Sequence, residues 1–125
     1  MIRWVFWFLA ASGAANACEA TGQRMASDVA DAASVYVAID DVPLGQPFSM
    51  IITVCDETEV SEMRVHAIMP AHQHGLNYVP VVTALGDGKF EVDGVLFHMP
   101  GLWELQVHVI FGGQSAHYTS EVVLK

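Results

Sequence analysis

The chain has 125 residues, of which 53% are apolar and 15% are charged, and its formal net charge is −9 at neutral pH. This length accommodates a single domain with one hydrophobic core and argues against a multi-domain enzyme. The acidic balance makes nucleic acids and anionic membranes poor partners, because both are themselves negatively charged.

Residues 1–17 are predicted to be a cleaved export signal. Arg3 provides the positive start, an apolar run follows at 4–11, and the small-x-small triplet at 15–17 is typical of a cleavage site. No later apolar run approaches the roughly 20 residues needed to cross a bilayer. We therefore expect an exported, periplasmic protein comprising residues 18–125, with no membrane span after signal cleavage.

The two cysteines, Cys18 and Cys55, leave the reducing cytosol with the chain, and a disulfide between them is the expected outcome. It would close a loop of about 37 residues and stabilise the fold by about 3–4 kcal/mol. A lipid anchor on Cys18 is the alternative, although a lipoprotein signal favours Leu three residues earlier, where this chain has Ala15.

Residues 18–33 form a lead-in segment that is rich in alanine and carries charged residues three or four positions apart. This pattern suits either a short helix or an extended segment. From residue 34 onward, short alternating or apolar runs are separated by turn residues at about ten-residue intervals, which is typical of antiparallel sandwiches. The predicted strands are 34–39, 46–55, 61–68, 79–85, 89–96, 102–111 and 114–124. The expected fold of 34–125 is therefore all-β, a seven-stranded immunoglobulin-like antiparallel β-sandwich.

Side-chain alternation assigns one face of each strand to the core. In 102–111 the inward apolar set is Trp103, Leu105, Val107, Val109 and Phe111. In 61–68 the inward set is Met63, Val65 and Ala67, and the outward set includes Arg64 and His66. Trp103 and Tyr118 are expected to anchor the core.

Two loops concentrate the residues that can bind a metal. In an immunoglobulin-like order consecutive strands run in opposite directions, so the loop 69–78 (the His72 loop) and the loop 97–101 (the His98 loop) emerge at the same end of the sandwich. Together they carry imidazoles and thioethers but no cysteine or carboxylate: Met69, His72, His74, His98 and Met99. This donor set suits copper, with Cu(I) favoured and Cu(II) as the second choice.

The local pattern also predicts how these side chains are arranged. An extended backbone at His72-x-His74 would place both rings on one side, about 7 Å apart. His98 is expected to point outward toward the ion with Met99 partly beneath it, which makes Met99 the weaker thioether. The alternative is that the methionines close the core and the histidines only decorate the loops.

A second histidine pair is predicted at the opposite end of the sandwich. A two-residue turn at 112–113 places His108 opposite His117 on the outer face of the sheet, with Cβ atoms about 5 Å apart. Two ligands alone favour a polar surface pair over a metal site.

Three segments in this order resemble the FixH and YtkA-like domains of bacterial exported proteins: 69–75 (MPAHQHG), 86–90 (GDGKF) and 96–105 (LFHMPGLWEL). Such domains are small immunoglobulin-like sandwiches, broadly akin to the CopC-type periplasmic copper carriers, and several are tied to copper handling or to maturation of haem-copper oxidases. The resemblance covers about 34–124 and implies a copper role for the five loop residues named above. The chain departs from CopC-type carriers, which often bind metal through the mature N-terminal residue, because Cys18 does not suit that role.

The expected function is a periplasmic copper-binding protein that carries or delivers copper to an exported or membrane partner, in copper homeostasis or oxidase maturation. No catalysis is expected, because neither Ser49 nor Ser61 lies in the sharp Gly-flanked turn that a serine nucleophile needs. The alternative is a non-catalytic structural or assembly module that docks on another exported protein through its sheet face.

Overall fold

The computed structural model describes residues 18–56 and 59–125, so the predicted export signal lies outside the described residues. In this part of the chain all regular structure is β, and no helix long and apolar enough to cross a membrane occurs. The strands, numbered in chain order, are β1 (Gln23–Arg24), β2 (Ala26–Ser27), β3 (Val35–Ala38), β4 (Phe48–Val54), β5 (Val60–Met69), β6 (His74–Gly75), β7 (Val81–Gly86), β8 (Lys89–Val95), β9 (Gly101–Phe111) and β10 (Gln114–Leu124).

The strands form two antiparallel sheets of five strands each, with the orders β1-β3-β4-β8-β7 and β2-β10-β9-β5-β6. The expected all-β sandwich is thus confirmed, but the expected count of seven strands is wrong, since ten are described. The seven predicted strands are all present, as β3 to β5 and β7 to β10, with their ends shifted by at most about two residues. The additional strands β1, β2 and β6 have two residues each, which is too short for alternation to reveal.

The lead-in segment is extended rather than helical, and it passes from one sheet to the other. β1 pairs with β3, β2 pairs with β10, and Met25 between them is buried. The Cys18–Cys55 disulfide is present as predicted, with 5.4 Å between the Cα atoms. It joins the start of this segment to the residue after β4, and it occupies the sulfur that a lipid anchor on Cys18 would require.

The core lies between the two sheets and follows the predicted alternation. The buried inward residues of β9 and β5 are Trp103, Leu105, Val107, Val109, Met63, Val65 and Ala67, and Phe111 is half-buried. Tyr118 on β10 is buried as well, and its hydroxyl donates to the Ala33 carbonyl at 2.6 Å. The pKa of the Tyr118 hydroxyl is raised, mainly by burial. A hydrogen bond with Ser27 lowers the pKa in part, and the negative charge of Asp28 raises it.

Candidate metal centre

The His72 loop and the His98 loop meet at one end of the sandwich, as the strand directions predict. β5 ends at Met69 and β9 begins at Gly101. A Cβ atom built on Gly101 would lie 3.0 Å from Cε of Met69. Gly101 has a φ of 126°, which only glycine adopts readily, so this close approach depends on the absence of a side chain.

The two methionines differ in burial, in the opposite order to the one expected. Met69 is only 2% exposed and belongs to the hydrophobic core. Met99 is half-buried and packs against the core from its loop, while its carbonyl accepts a hydrogen bond from Nε1 of Trp103 at 3.0 Å. Met99 is therefore the more accessible of the two thioether residues.

The His72 loop forms a turn, and the expected extended backbone at His72-x-His74 is wrong. The amides of His72 and Gln73 both donate to the Met69 carbonyl, at 3.2 and 2.8 Å, and Gln73 has a φ of 53°. Pro70 favours such a turn, because its ring holds its φ at about −65° and it has no amide hydrogen to pair.

The rings of His72 and His74 nevertheless lie side by side. Their centroids are 6.1 Å apart, and their planes are inclined by 24°. His74 begins β6 and pairs with Met69 at the end of β5. This backbone pairing sets the position of the His74 ring. Both residues are exposed, and two imidazoles are thus presented together to solvent at this end.

A further histidine, His66, lies against this loop, although alternation predicts only that it faces outward. A Cβ atom built on Gly75 would lie 3.0 Å from both Cε1 and Nε2 of the His66 ring. Gly75 pairs with Ile68 in the β5–β6 ladder, so the His66 ring packs over the glycine backbone. This contact results from the pairing of β6 with β5. A strand of two residues is too short for a sequence pattern to predict that pairing.

His98 is half-buried, and its ring packs edge-on against Trp103 with 5.4 Å between the ring centroids. Its Nδ1 atom is buried and has no hydrogen-bond partner among the described residues. Phe97, the preceding residue, is fully buried with its ring centroid 5.0 Å from that of Trp103. The His98 ring therefore packs against the core on one side. The outward orientation expected for His98 is only partly confirmed.

Within residues 18–56 and 59–125, no three histidine, cysteine, aspartate or glutamate side chains are close enough together to hold one metal ion. His72 and His74 form a pair, while His98 is held against Trp103 on the neighbouring loop. A third donor to the pair can come from the His98 loop, through a turn of the imidazole or through the thioether of Met99, or from His66 beside Gly75.

His108 and His117 lie directly opposite each other on β9 and β10, as predicted. The backbone N–H and C=O of His117 both bond Asp28, so they point away from β9 and leave a non-hydrogen-bonded pair with closely spaced side chains. The rings stack with centroids 4.1 Å apart and planes within 1°. Imidazole lone pairs lie in the ring plane, so stacked rings direct them side by side rather than at one ion. This geometry suits a polar surface pair.

Comparison of this chain with known protein families, curated proteins and solved structures finds no match. The likeness to FixH and YtkA-like domains therefore rests on the three sequence segments alone. What the site can do depends on its own donors, which are two exposed imidazoles on one loop and a half-buried imidazole and thioether on the next.

Proposed function

We propose that this chain is a periplasmic copper-binding protein that carries or delivers copper to a partner and performs no catalysis. The observation that supports this most strongly is the exposed pair of His72 and His74, with ring centroids 6.1 Å apart. The neighbouring loop contributes His98 and Met99 at the same end of the sandwich. Imidazole and thioether groups together favour copper, and Cu(I) above Cu(II).

The spacing of the pair fits an ion held between the two rings. A metal–imidazole bond is about 2.0 Å long, so two rings that bind one ion through their nitrogens are not in face-to-face contact. The His72 and His74 centroids stand 6.1 Å apart, against 4.1 Å for the stacked rings of His108 and His117. The first pair has room for an ion once the two exposed rings, now inclined by only 24°, turn their in-plane nitrogens toward it, and the second pair does not have that room.

His98 completes the proposed site from the second loop. A buried polar group without a partner destabilises a fold by about 1–3 kcal/mol, and Nδ1 of His98 is such a group among the described residues. Turning the His98 ring away from Trp103 and toward the His72 loop removes this penalty and brings a third nitrogen to the ion. Met99 supplies an accessible thioether, while the buried Met69 holds the two loops together.

Strand order and cysteine pairing support the family and the compartment that we propose. Without the two-residue strands, the sheets have the orders β3-β4-β8-β7 and β10-β9-β5, which is the arrangement of a constant-type immunoglobulin domain. An immunoglobulin-like domain related to the FixH and YtkA-like proteins is consistent with this order. The Cys18–Cys55 disulfide is the kind of bond that persists in an oxidising compartment such as the periplasm.

The test is an anaerobic competition titration of Cu(I) against a chromogenic chelator. The protein is expressed as the full chain with its own export segment and purified as the cell processes it. We expect one copper ion per chain, bound with micromolar or tighter affinity. His72→Ala or His74→Ala removes one of about three or four ligands and should weaken binding at least tenfold, which corresponds to about 1.4 kcal/mol.

The matched control is the double variant His108→Ala/His117→Ala, which removes two imidazoles from the other end of the sandwich. Its affinity for Cu(I) should stay within about twofold of that of the parent protein. If the parent chain does not bind Cu(I) in the micromolar range, the proposal is refuted. If the control variant is the damaging one, the site is at the opposite end.

A further inference from the structure

β7 is the longest of the four strands that lie at the ends of the two sheets in the described part of the chain, and unlike the partly covered edges of β5 and β10 its outer edge has no strand beside it. Of the four edge strands, β1, β2 and β6 have two residues each, whereas β7 has six. β7 pairs with β8 on one side, and no described residue forms a ladder with its other side. The outer backbone groups of β7 are therefore open to pairing with a further strand.

The side chains of β7 do not protect this edge. The strand contains no charged residue, and Val81 and Leu85 are 64% and 54% exposed. Natural edge strands usually carry lysine, proline or a bulge that prevents pairing with other chains. Here Pro80 lies just ahead of the strand, and the irregularity in its ladder falls between Ala84 and Gly86, at the far end. The first four residues of β7 form a regular, exposed edge.

An apolar groove adjoins the start of β7. Its volume is about 420 Å³, and its lining includes Pro47, Tyr78, Val79, Val81 and Leu96. Val79 is 89% exposed and Tyr78 is 65% exposed. Single exposed apolar side chains are ordinary on a protein surface, but a contiguous group beside an open strand edge indicates a binding surface.

On the outer face of the sheet, the row of β8 side chains beside β7 carries two carboxylates next to the first part of β7 (the acidic row), and it ends at Lys89 beside Gly86. Asp93 lies opposite Val81 and Glu91 lies opposite Thr83, so each carboxylate is on the same face as its partner in β7. Asp93 is held in place, because its Oδ1 accepts a hydrogen bond from Oγ of Ser49 at 2.7 Å. A lysine or arginine on an added strand can lay its apolar stem over Val81 or Thr83 and reach these carboxylates.

We propose that β7 is a docking site for an extended segment of another protein, which adds to the sheet as a sixth strand and carries alternating apolar and basic side chains. Backbone hydrogen bonds to the edge supply affinity, and the acidic row selects the basic side chains that alternation places on its face of the sheet. The groove opens on that same face and accepts an apolar residue at the end of the added segment. A second copy of this chain is disfavoured, because it would bring the same acidic row and a further net charge of −9. This inference goes beyond copper binding and does not depend on it.

The test is a backbone-amide NMR titration of the copper-free protein, expressed as the full chain and purified as the cell processes it. The probes are two blocked peptides of about ten residues, one alternating valine and lysine and one alternating valine and glutamate. Each peptide is used at concentrations at which it is monomeric in the absence of the protein. We expect the lysine peptide to shift and broaden the amides of β7, Tyr78 and Val79, and the glutamate peptide to leave them unchanged.

Three variants separate strand addition from nonspecific charge attraction. Val81→Lys should weaken binding of the lysine peptide about tenfold or more, and Val81→Glu, which removes the same apolar contact, should bind it more tightly than Val81→Lys. The matched control is Val123→Lys, because Val123 is 66% exposed against 64% for Val81 but lies on β10 in the other sheet. Its affinity should stay within about twofold of that of the parent protein.

The proposal is overturned if millimolar lysine peptide leaves the β7 amides unshifted. It is also overturned if the shifts spread over the whole acidic surface and Val81→Lys does not change them. Concentration-dependent shifts of the β7 amides in the peptide-free protein would overturn it as well, because they would assign the edge to a second copy of the chain.

Discussion

Replacing Gly101 by alanine should destabilise the protein through two effects at one position, its backbone conformation and its contact with Met69. The φ of 126° is a conformation in which residues with a Cβ are strained by about 1–3 kcal/mol. The new Cβ would also lie 3.0 Å from Cε of Met69, which is too deeply buried to move freely. Overpacking of a core adds about 1–3 kcal/mol. Because part of the strain relaxes, we expect Gly101→Ala to lower the free energy of unfolding by about 2–4 kcal/mol.

Gly75→Ala is the matched control, since its new Cβ would meet a neighbour at the same distance of 3.0 Å. Here, however, the neighbour is the ring of the exposed His66, which can rotate, and Gly75 is not in the left-handed region. Alanine also restricts the unfolded chain, which stabilises a protein by about 0.4–1 kcal/mol where the native backbone tolerates it. Gly75→Ala should therefore be neutral or slightly stabilising.

Urea unfolding followed by tryptophan fluorescence measures both variants, because Trp103 is fully buried in the native state. With an m-value of about 2 kcal/mol per M, Gly101→Ala should lower the midpoint by roughly 1–2 M without changing m. The midpoint of Gly75→Ala should stay or rise. A loss below about 1 kcal/mol in Gly101→Ala, or an equal loss in both variants, would refute the close contact between the two loops.

The disulfide, the buried tyrosine and the second loop each make a separate prediction. Reduction of the Cys18–Cys55 bond should lower the free energy of unfolding by about 3–4 kcal/mol, because the unfolded chain regains the freedom of a 37-residue loop. Urea midpoints with and without reductant measure this loss of stability. Alkylation of either cysteine in the absence of reductant would contradict the disulfide. Burial raises the pKa of Tyr118, so its contribution to stability should be fully present below about pH 10 and should be lost as pH rises through the raised pKa of the folded state. Tyr118→Phe should flatten this alkaline loss, and an unchanged pH dependence of the free energy of unfolding would show that another group causes it. His98→Ala should weaken Cu(I) binding as His72→Ala does, and in the chelator titration the double variant should lose less than the sum of the single losses, whereas strict additivity removes His98 from the ion.

Alternation predicts the long strands well, because burial of one sheet face dictates the side-chain type at every second residue. In β9 this holds from Trp103 to Val109, where each inward residue is fully buried. The pairing of His108 with His117 follows from the length of the turn alone. Strand directions then place the His72 and His98 loops at one end of the sandwich without any knowledge of their own conformation.

The conformation of these loops does not follow from the same pattern. Gln73 adopts a left-handed backbone conformation in the turn around the Met69 carbonyl. Local hydrogen bonds determine this conformation, and the spacing of apolar residues does not predict it. Met69 continues the inward alternation of β5, so its burial follows from the strand pattern once the strand extends one residue beyond its predicted end at 68. Its close approach to Gly101, by contrast, joins distant parts of the chain and is contained in no local pattern. The geometry of the candidate metal centre is therefore the part of the molecule that is least accessible from sequence.

The pairing of the lead-in segment with β10 joins the first and last described parts of the chain. The His117 amide donates to Asp28, 89 positions away, and the Tyr118 hydroxyl donates to Ala33, 85 positions away. As the chain is synthesised from its N-terminus, β2 has no partner until β10 is complete, whereas β1 and Cys18 find their partners earlier, in β3 and at Cys55. Contacts of such separation close late, so the sheet that contains β2 and β10 should be completed last, on the roughly millisecond-to-second scale typical of β-sandwiches.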